Sequence, residues 1–207
     1  VQPKALIYLC FLNFPADPLA PPDVAATERA LVERADLVTV DYGVDNQERI
    51  AQYQLCRPVV QLSMTVQFEH FAPARVPRSP HNPPVCGYFG DIRDNLDIDL
   101  LRKVGERYPL VIVGSRTERL QGFSANTRII PNVPYVHLPE VLEQIDIFLL
   151  PYRLDDPYNR GVFPAKVFEC LATGKPTIAV GLPSVQPFNH VIDIASDEAD
   201  FLAKLDQ

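Results

Sequence analysis

The sequence predicts an α/β fold in which a parallel sheet is covered by helices on both faces, and three observations carry that expectation. Seven apolar runs of strand length recur along the chain, segments with helical spacing lie between most of them, and proline marks the joins. Strands that are apolar throughout are buried on both faces, as in parallel sheets enclosed by crossover helices.

The first run is "ALIYLCFL" (5–12). It follows Lys4, as the apolar core of a signal peptide follows a cation. Because the run stops at Asn13 and the chain opens on Val1 rather than Met, we expect a buried strand here. "DVAATERALVERA" places Ala26, Ala30 and Leu31 at helical spacing, and "DLVTV" (36–40) and "PVVQL" (58–62) read as the next strands. Of 21 prolines, Pro73, Pro77, Pro80, Pro83 and Pro84 crowd into "FAPARVPRSPHNPPV". Proline cannot continue a helix and biases its predecessor to extended geometry, so this stretch reads as a linker or interdomain crossing. We place a boundary there, giving a first domain of 1–84 and a second of 85–207. With about three strands, the first is thin for an independent α/β domain.

In the second part "VCGYF" (85–89), "LVIVG" (110–114), "IDIFLL" (145–150) and "PTIAV" (176–180) read as strands. Between the first two, "NLDIDLLRKVGERY" carries Leu96, Leu100, Leu101 and Val104 on one helical face.

At 207 residues and 47% hydrophobic content the chain can bury a sizeable core. Its net charge is −7, from 19 Lys and Arg against 26 Asp and Glu, with no block of like charge. A nucleic acid or an anionic membrane needs a basic face, so neither is expected as the main partner, and any phosphate must be held by a local cradle. No stretch approaches a membrane span. Cys10, Cys56, Cys86 and Cys170 lie far apart among apolar neighbours and read as buried free thiols in a reducing cytoplasm. His70, His81, His137 and His190 are scattered, with no metal-ligand spacing.

The strongest local feature is "GVFPAKVFECLATGKPTIAV" (161–180). Pro164 suits the first turn of a helix and Gly174 the position just past its end. Lys166 and Glu169 stand three apart, away from the apolar face of Val167, Phe168, Leu171 and Ala172, with the cation nearer the N-terminus, the less favourable order for an ion pair. They are either a solvated face or a site. A lysine in the first turn becomes an asset when an anion docks on the free N–H groups, and Glu169 can then accept hydrogen bonds from a diol such as a ribose. The preceding loop, "PYRLDDPYNRGVF", follows a strand, and ligands of open α/β sheets sit beyond the carboxyl ends of strands, so Arg153, Arg160 and Gly161 are candidate lining residues.

A second candidate is "GYFGDIRDNLDIDLL", where Gly87 and Gly90 follow or end a strand and a helix is expected to open near Asp94. Asp94, Asp97 and Asp99 complement that helix dipole themselves, so an anion is less favoured there; Arg93 remains a phosphate contact or a surface arginine. "GSRTERLQG" is not a P-loop, because no G-K-[ST] follows the glycine, and no G-x-S-x-G elbow or G-x-G-x-x-G fingerprint occurs. The histidines of "HFAPAR" and "YVHLPE" read as packed imidazoles.

Taken in order, "YFGDIRDNLDIDLLRKVGERYPLVIVG", "NVPYVHLPEVLEQIDIFLLPYRLDD" and "FPAKVFECLATGKPTIAV" resemble the Rossmann-like, donor-binding C-terminal domain of GT-B glycosyltransferases. The nearest likeness is to bacterial retaining enzymes that build surface polysaccharides. Their Pro-x-Lys, two residues, Glu, then Leu-Ala-x-Gly-Lys-Pro is matched by Pro164, Lys166, Glu169, Leu171, Ala172, Gly174, Lys175 and Pro176. "RADLVTVDY" is similar to the last strands of the N-terminal domain, and "MTVQFEHFAPAR" to the crossing between domains.

The resemblance implies a transferase that moves a sugar from a nucleotide-sugar donor to a glycan or lipid-linked acceptor, without metal or other cofactor, in the cytoplasm or at the periphery of the inner membrane. It assigns Lys166 to the diphosphate and Glu169 to the ribose as the catalytic pair, with Gly90, Arg93, Arg153, Gly161, Val162, Phe163 and Ala165 lining the donor site. Departures accompany it. Gly161 stands where many relatives carry a sugar-contacting glutamate, Met64, Thr65, Val66 and Gln67 replace Asn-Gly-Val-Asp, and the segment between "NV" and "PYVHLPE" is short. The resemblance also implies that the chain starts near the end of the N-terminal domain and stops before the usual closing helix, so a homodimer or partner subunit would complete the cleft. Two other readings stand beside it: a non-catalytic degenerate transferase domain that binds nucleotide or protein, and a nucleotide binder outside the transferases.

Overall fold

The computed structural model describes residues 4–74 and 81–207. Pro77 and Pro80 of the crossing lie outside the described residues. Chain contacts divide the protein into two compact units, the first made of 1–64, 154–164 and 182–185, the second of 65–153, 165–181 and 186–207. The sequence reading placed one cut after residue 84. Among the described residues, the contacts group 65–74 and 81–84 with the second unit and a later loop with the first.

Unit 1 runs β1 (Ile7–Cys10), α1 (Val24–Arg34), β2 (Leu37–Val40), α2 (Val44–Gln52), β3 (Val59–Gln61), and its parallel sheet has the order β1-β2-β3. Both crossovers step the same way across the sheet, and right-handed crossovers that do so put their helices on one face. That face is the core: Cys10, Val32, Ala35, Val38, Val40 and Ile50 are buried together, with Tyr8, Tyr53 and Leu55 against them. The alternate residues Ile7, Leu9, Val60 and Leu62 stay 44–53% exposed. On that side the central strand's Thr39 is 2% exposed, so it is the outer strands β1 and β3 that are open to solvent.

A buried ion pair ties the two helices of unit 1 together. Glu28 of α1 is 4% exposed. Arg49 of α2 places Nε 2.9 Å from Glu28 Oε2 and donates from Nη2 to Oε1 at 3.0 Å, while the hydroxyls of Tyr8 and Tyr53 donate to the same carboxylate at 2.5 and 3.1 Å.

Unit 2 opens with α3 (Phe68–Phe71) and a 3-10 turn at Ala72–Ala74, so the start of the proline-rich stretch is helical rather than extended. Then come β4 (Cys86–Phe89), α4 (Ile98–Arg107), β5 (Leu110–Gly114), β6 (Thr127–Pro131), α5 (Leu138–Leu142) and β7 (Ile147–Leu150). The short α6 (Pro157–Arg160) belongs to unit 1, after which α7 (Lys166–Thr173), β8 (Thr177–Val180), β9 (Asp193–Ala195) and α8 (Glu198–Leu205) complete unit 2. The six strands are all parallel in the order β6-β5-β4-β7-β8-β9. This is the doubly wound, Rossmann-like order, which reverses between β4 and β7 and leaves a crevice outside their carboxyl ends.

All seven apolar runs are strands. The two strands not anticipated, β6 and β9, are the sheet's edges, with solvent along much of their length, so their sequences lack the continuous apolar signature of doubly covered strands. The helix expected to open near Asp94 begins at Ile98, where the Asp97 carboxylate accepts from Leu100 N at 2.8 Å. Cys10, Cys86 and Cys170 are buried free thiols as expected; Cys56 is exposed, because it sits in the loop before β3.

Removing the cation from the unit 1 network should leave Glu28 buried and unpaired. Arg49→Ala is expected to lower stability by about 3 kcal/mol in urea melts. Arg29→Ala, which breaks the exposed Arg29–Glu33 pair, should leave the midpoint nearly unchanged. Equal shifts in the two variants would refute the anchoring role of Arg49.

Candidate functional site

The topology of unit 2 brings the start of α7 to the crevice. The chain leaves the carboxyl end of β7, makes a loop, and enters α7 before crossing to β8. The helix begins at Lys166 with Ala165 as N-cap, two residues beyond the expected start at Pro164, and ends on Gly174 at φ 67°, the left-handed C-cap that the sequence indicated. In unit 2, α4 and α8 are capped by the side chains of Asp97 and Asp197. The N-terminus of α7 has no side-chain cap, which leaves first-turn N–H groups and the positive end of the dipole without a resident anion.

Lys166 reaches from this N-terminus over the end of β4. Its Nζ donates to Tyr152 Oη at 3.2 Å, with Tyr88 in hydrogen-bonding reach, and lies 5.5 and 5.8 Å from the centroids of the Tyr88 and Tyr152 rings. Burial disfavours the ammonium, but the oxygens of Tyr152 and Tyr88 and the charge of Glu169 outweigh it, so the amine is held above its usual range and stays charged. Gly90, at φ 131°, makes this position available: a Cβ there would collide with Cε of Lys166 and sit 2.6 Å from Nζ. Gly114 of β5 has a similar role, since a Cβ would strike the Gly90 carbonyl.

Glu169 lies one turn along α7, half-buried. Among the described residues its carboxylate accepts no hydrogen bond and joins no ion pair. Burial raises its pKa, opposed by Lys166 and by His70. His70 of α3 stacks on Tyr135, with ring centroids 4.3 Å apart and planes at 21°, and its Nε2 lies 2.9 Å from Tyr135 O. Tyr135 is 49% exposed, and the nearby Glu169 charge, after burial, raises its pKa. A carboxylate thus stands open beside an exposed aromatic ledge.

The remaining sequence candidates divide between the units. Arg93 Nε pairs with Asp91 Oδ2 at 2.7 Å just past β4, and Asp91 also accepts from Ser115 Oγ at 2.5 Å, past β5. Arg153 is exposed, with its N–H bonded to Asn95 O at 2.9 Å. Gly161, Val162 and Phe163 belong to unit 1. A Cβ on Gly161 would lie 2.6 Å from Asn13 Cβ, so glycine permits close packing there, and Phe163 is 2% exposed against Tyr42 at 5.6 Å. Arg160 of the same unit stands 3.8 Å from Asp45. Four residues around Lys166 and Glu169 are not singled out by the sequence: Tyr88 reads as part of an apolar strand, Tyr152 as part of the polar loop after the strand 145–150, His70 as a packed imidazole, and Tyr135 carries no signal. Their partners are distant in sequence, so no local motif signals them. No group of His, Cys, Asp or Glu able to hold a metal occurs among the described residues, and no described helix is long and apolar enough to cross a membrane.

A doubly wound sheet whose crevice receives the uncapped N-terminus of α7 and a retained ammonium makes unit 2 a Rossmann-like α/β domain. Residues 84–205 match the family described as Glycosyl transferases group 1, and the chain belongs to that family. The match bears out the GT-B resemblance. A Bacillus subtilis (strain 168) protein provisionally named teichuronic acid biosynthesis glycosyltransferase TuaH is 28% identical over 200 residues, covering 87% of this chain and 50% of its own. Among solved structures, sucrose-phosphate synthase from Thermosynechococcus elongatus shares the fold, with a TM-score of 0.65 at 14% identity over 97% of this chain and 57% of its own. The chain spans about half the length of the relatives it matches.

The raised pKa of Glu169 has a consequence for stability. A carboxyl whose folded pKa lies above its unfolded value favours folding while protonated, and that advantage is lost as pH rises through the folded pKa. Glu169→Gln should therefore match the parent in thermal melts below about pH 4, then exceed its Tm increasingly as pH rises, levelling off above the folded pKa. A Tm difference independent of pH would contradict this.

Proposed function

We propose that the chain is the donor-binding part of a sugar-nucleotide-dependent glycosyltransferase that elongates a surface polysaccharide, using a glycan or lipid-linked acceptor on the cytoplasmic side of the membrane. The observation that carries this reading is the pairing of an uncapped α7 N-terminus with an ammonium that no carboxylate neutralises. The diphosphate would lie on the first-turn N–H groups and Lys166, and the ribose hydroxyls would donate to Glu169, with the Tyr135 ledge alongside. In the reaction the bond from the anomeric carbon to the diphosphate oxygen breaks, its electrons leave with the nucleoside diphosphate, and the acceptor oxygen bonds that carbon as its hydroxyl proton departs. Lys166 and the N–H dipoles are already oriented toward the charge that grows on the leaving group, which favours the transition state over the ground state. No metal is needed for that charge, and the name of the B. subtilis relative supports an anionic cell-surface polymer as product. No observation favours the non-catalytic module.

The exposed row of Ile7, Leu9, Val60 and Leu62 supports a further part of the reading, that a second copy or a partner subunit covers this face of unit 1. A light-scattering mass above that of one chain would support the homodimer; a monomer would leave the partner subunit as the form to be sought by co-purification.

Calorimetry with UDP, GDP, TDP and CMP is the direct test. One of the nucleotides is expected to bind with a micromolar dissociation constant, and Lys166→Ala and Glu169→Ala should each weaken it by about tenfold or more, as expected for loss of a charge-assisted contact. No binding of any of the four, or binding indifferent to both substitutions, would defeat the proposal.

A further inference from the structure

We infer that Tyr88 and Tyr152 are positioning residues for the donor diphosphate, because their hydroxyls hold the Lys166 ammonium at the crevice without neutralising it. The inference rests on the nucleotide-binding reading above and adds to it two residues from separate strand ends.

Three observations carry it. First, Tyr88 is 1% and Tyr152 9% exposed, so both phenols are fixed by packing, and the same ammonium stands 3.2 Å from Tyr152 Oη and in hydrogen-bonding reach of Tyr88. Second, the Tyr88 hydroxyl donates to Asp91 O at 3.0 Å. With its proton committed to that carbonyl, the phenol oxygen is left as an acceptor, and only a donor such as the ammonium can face it. Third, Gly90 clears the space that the end of the lysine chain fills.

A carboxylate in place of either phenol would bind the ammonium more strongly but would cancel its charge. A neutral acceptor fixes direction and leaves the charge for an incoming anion. It also limits the entropy lost when a flexible four-carbon stem is immobilised by ligand, the usual source of gain from preorganisation.

The test is a double-mutant cycle on the full chain, with a nucleoside diphosphate as probe and its parent nucleoside as control. Tyr88→Phe/Tyr152→Phe keeps both rings and removes both hydroxyls. In the parent background it should weaken the diphosphate by about tenfold while leaving the nucleoside, which has no phosphate, unchanged. In a Lys166→Ala background the same pair should have no further effect, because the group it positions is gone. Equal weakening of diphosphate and nucleoside, or an undiminished effect in the Lys166→Ala background, would overturn the inference and leave nucleotide binding standing. Failure of the parent to bind any of the nucleotides would remove the nucleotide reading and this inference with it. The single variants Tyr88→Phe and Tyr152→Phe, each removing one hydroxyl, supply the same cycle if the double variant does not fold; no diphosphate-specific effect in either would equally overturn the inference.

Discussion

The site is organised by one constraint: a partly buried ammonium must be kept charged, and kept in place, without an acidic partner. Desolvation works against a cation in such a position, and proteins usually answer with a carboxylate. Unit 2 answers with two phenol oxygens and the charge of Glu169, which makes no ion pair with it. The same solution dictates the glycine at the end of β4, since any side chain there would take the space the lysine needs. It also accounts for an α7 N-terminus that carries no aspartate cap. A resident acid at that point would compete for the groups that an anionic ligand requires.

Much of this was legible in the sequence, and the parts that were not share a physical cause. Lys166, Glu169, Pro164 and Gly174 lie within one helix and its flanks, so spacing sufficed to single them out, and Gly90 could be read from its place after a strand. Tyr88 and Tyr152 could not. Tyr88 sits in an apolar strand, where it contributes to the pattern as a ring, and Tyr152 in the polar loop past the next strand of the crevice; their hydroxyls acquire meaning only when the sheet sets β4 beside β7. The edge strands β6 and β9 were hidden for a related reason: the signature of a buried parallel strand is burial on both faces, which an edge strand does not have. The grouping of Gly161, Val162 and Phe163 with unit 1 was equally out of reach, because the chain returns to that unit only through contacts across more than a hundred positions.

Unit 1 shows what a one-directional run of crossovers costs. With both helices on one face, the sheet gathers its stability there, through the apolar cluster and through Glu28, whose carboxylate takes bonds from Arg49, Tyr8 and Tyr53 at once. The opposite face keeps apolar side chains that the sequence had marked as core. Apolarity in a strand reports what the residue is suited to touch. Whether it is touched depends on what the rest of the fold, or another chain, brings to that face.

The spacing of Lys166 and Glu169 can be argued one step further from helix geometry. Residues three apart on a helix are neighbours, and this pair might have been expected to neutralise itself. Side chains on a helix slant toward its N-terminus, however, so a lysine at the first position projects past the end of the helix, while a glutamate one turn later leans over the turn that the lysine has vacated. Both groups are thereby delivered to the same end of α7, and the phenols draw the cation away from the acid toward β4. The two charges influence each other through space, as the opposing effects on their pKa values show, without forming a hydrogen bond to each other. The order that looks unfavourable for an isolated helix is the one the proposed ligand, bearing a diphosphate and a diol, would require of a cation and an acceptor that do not pair with each other.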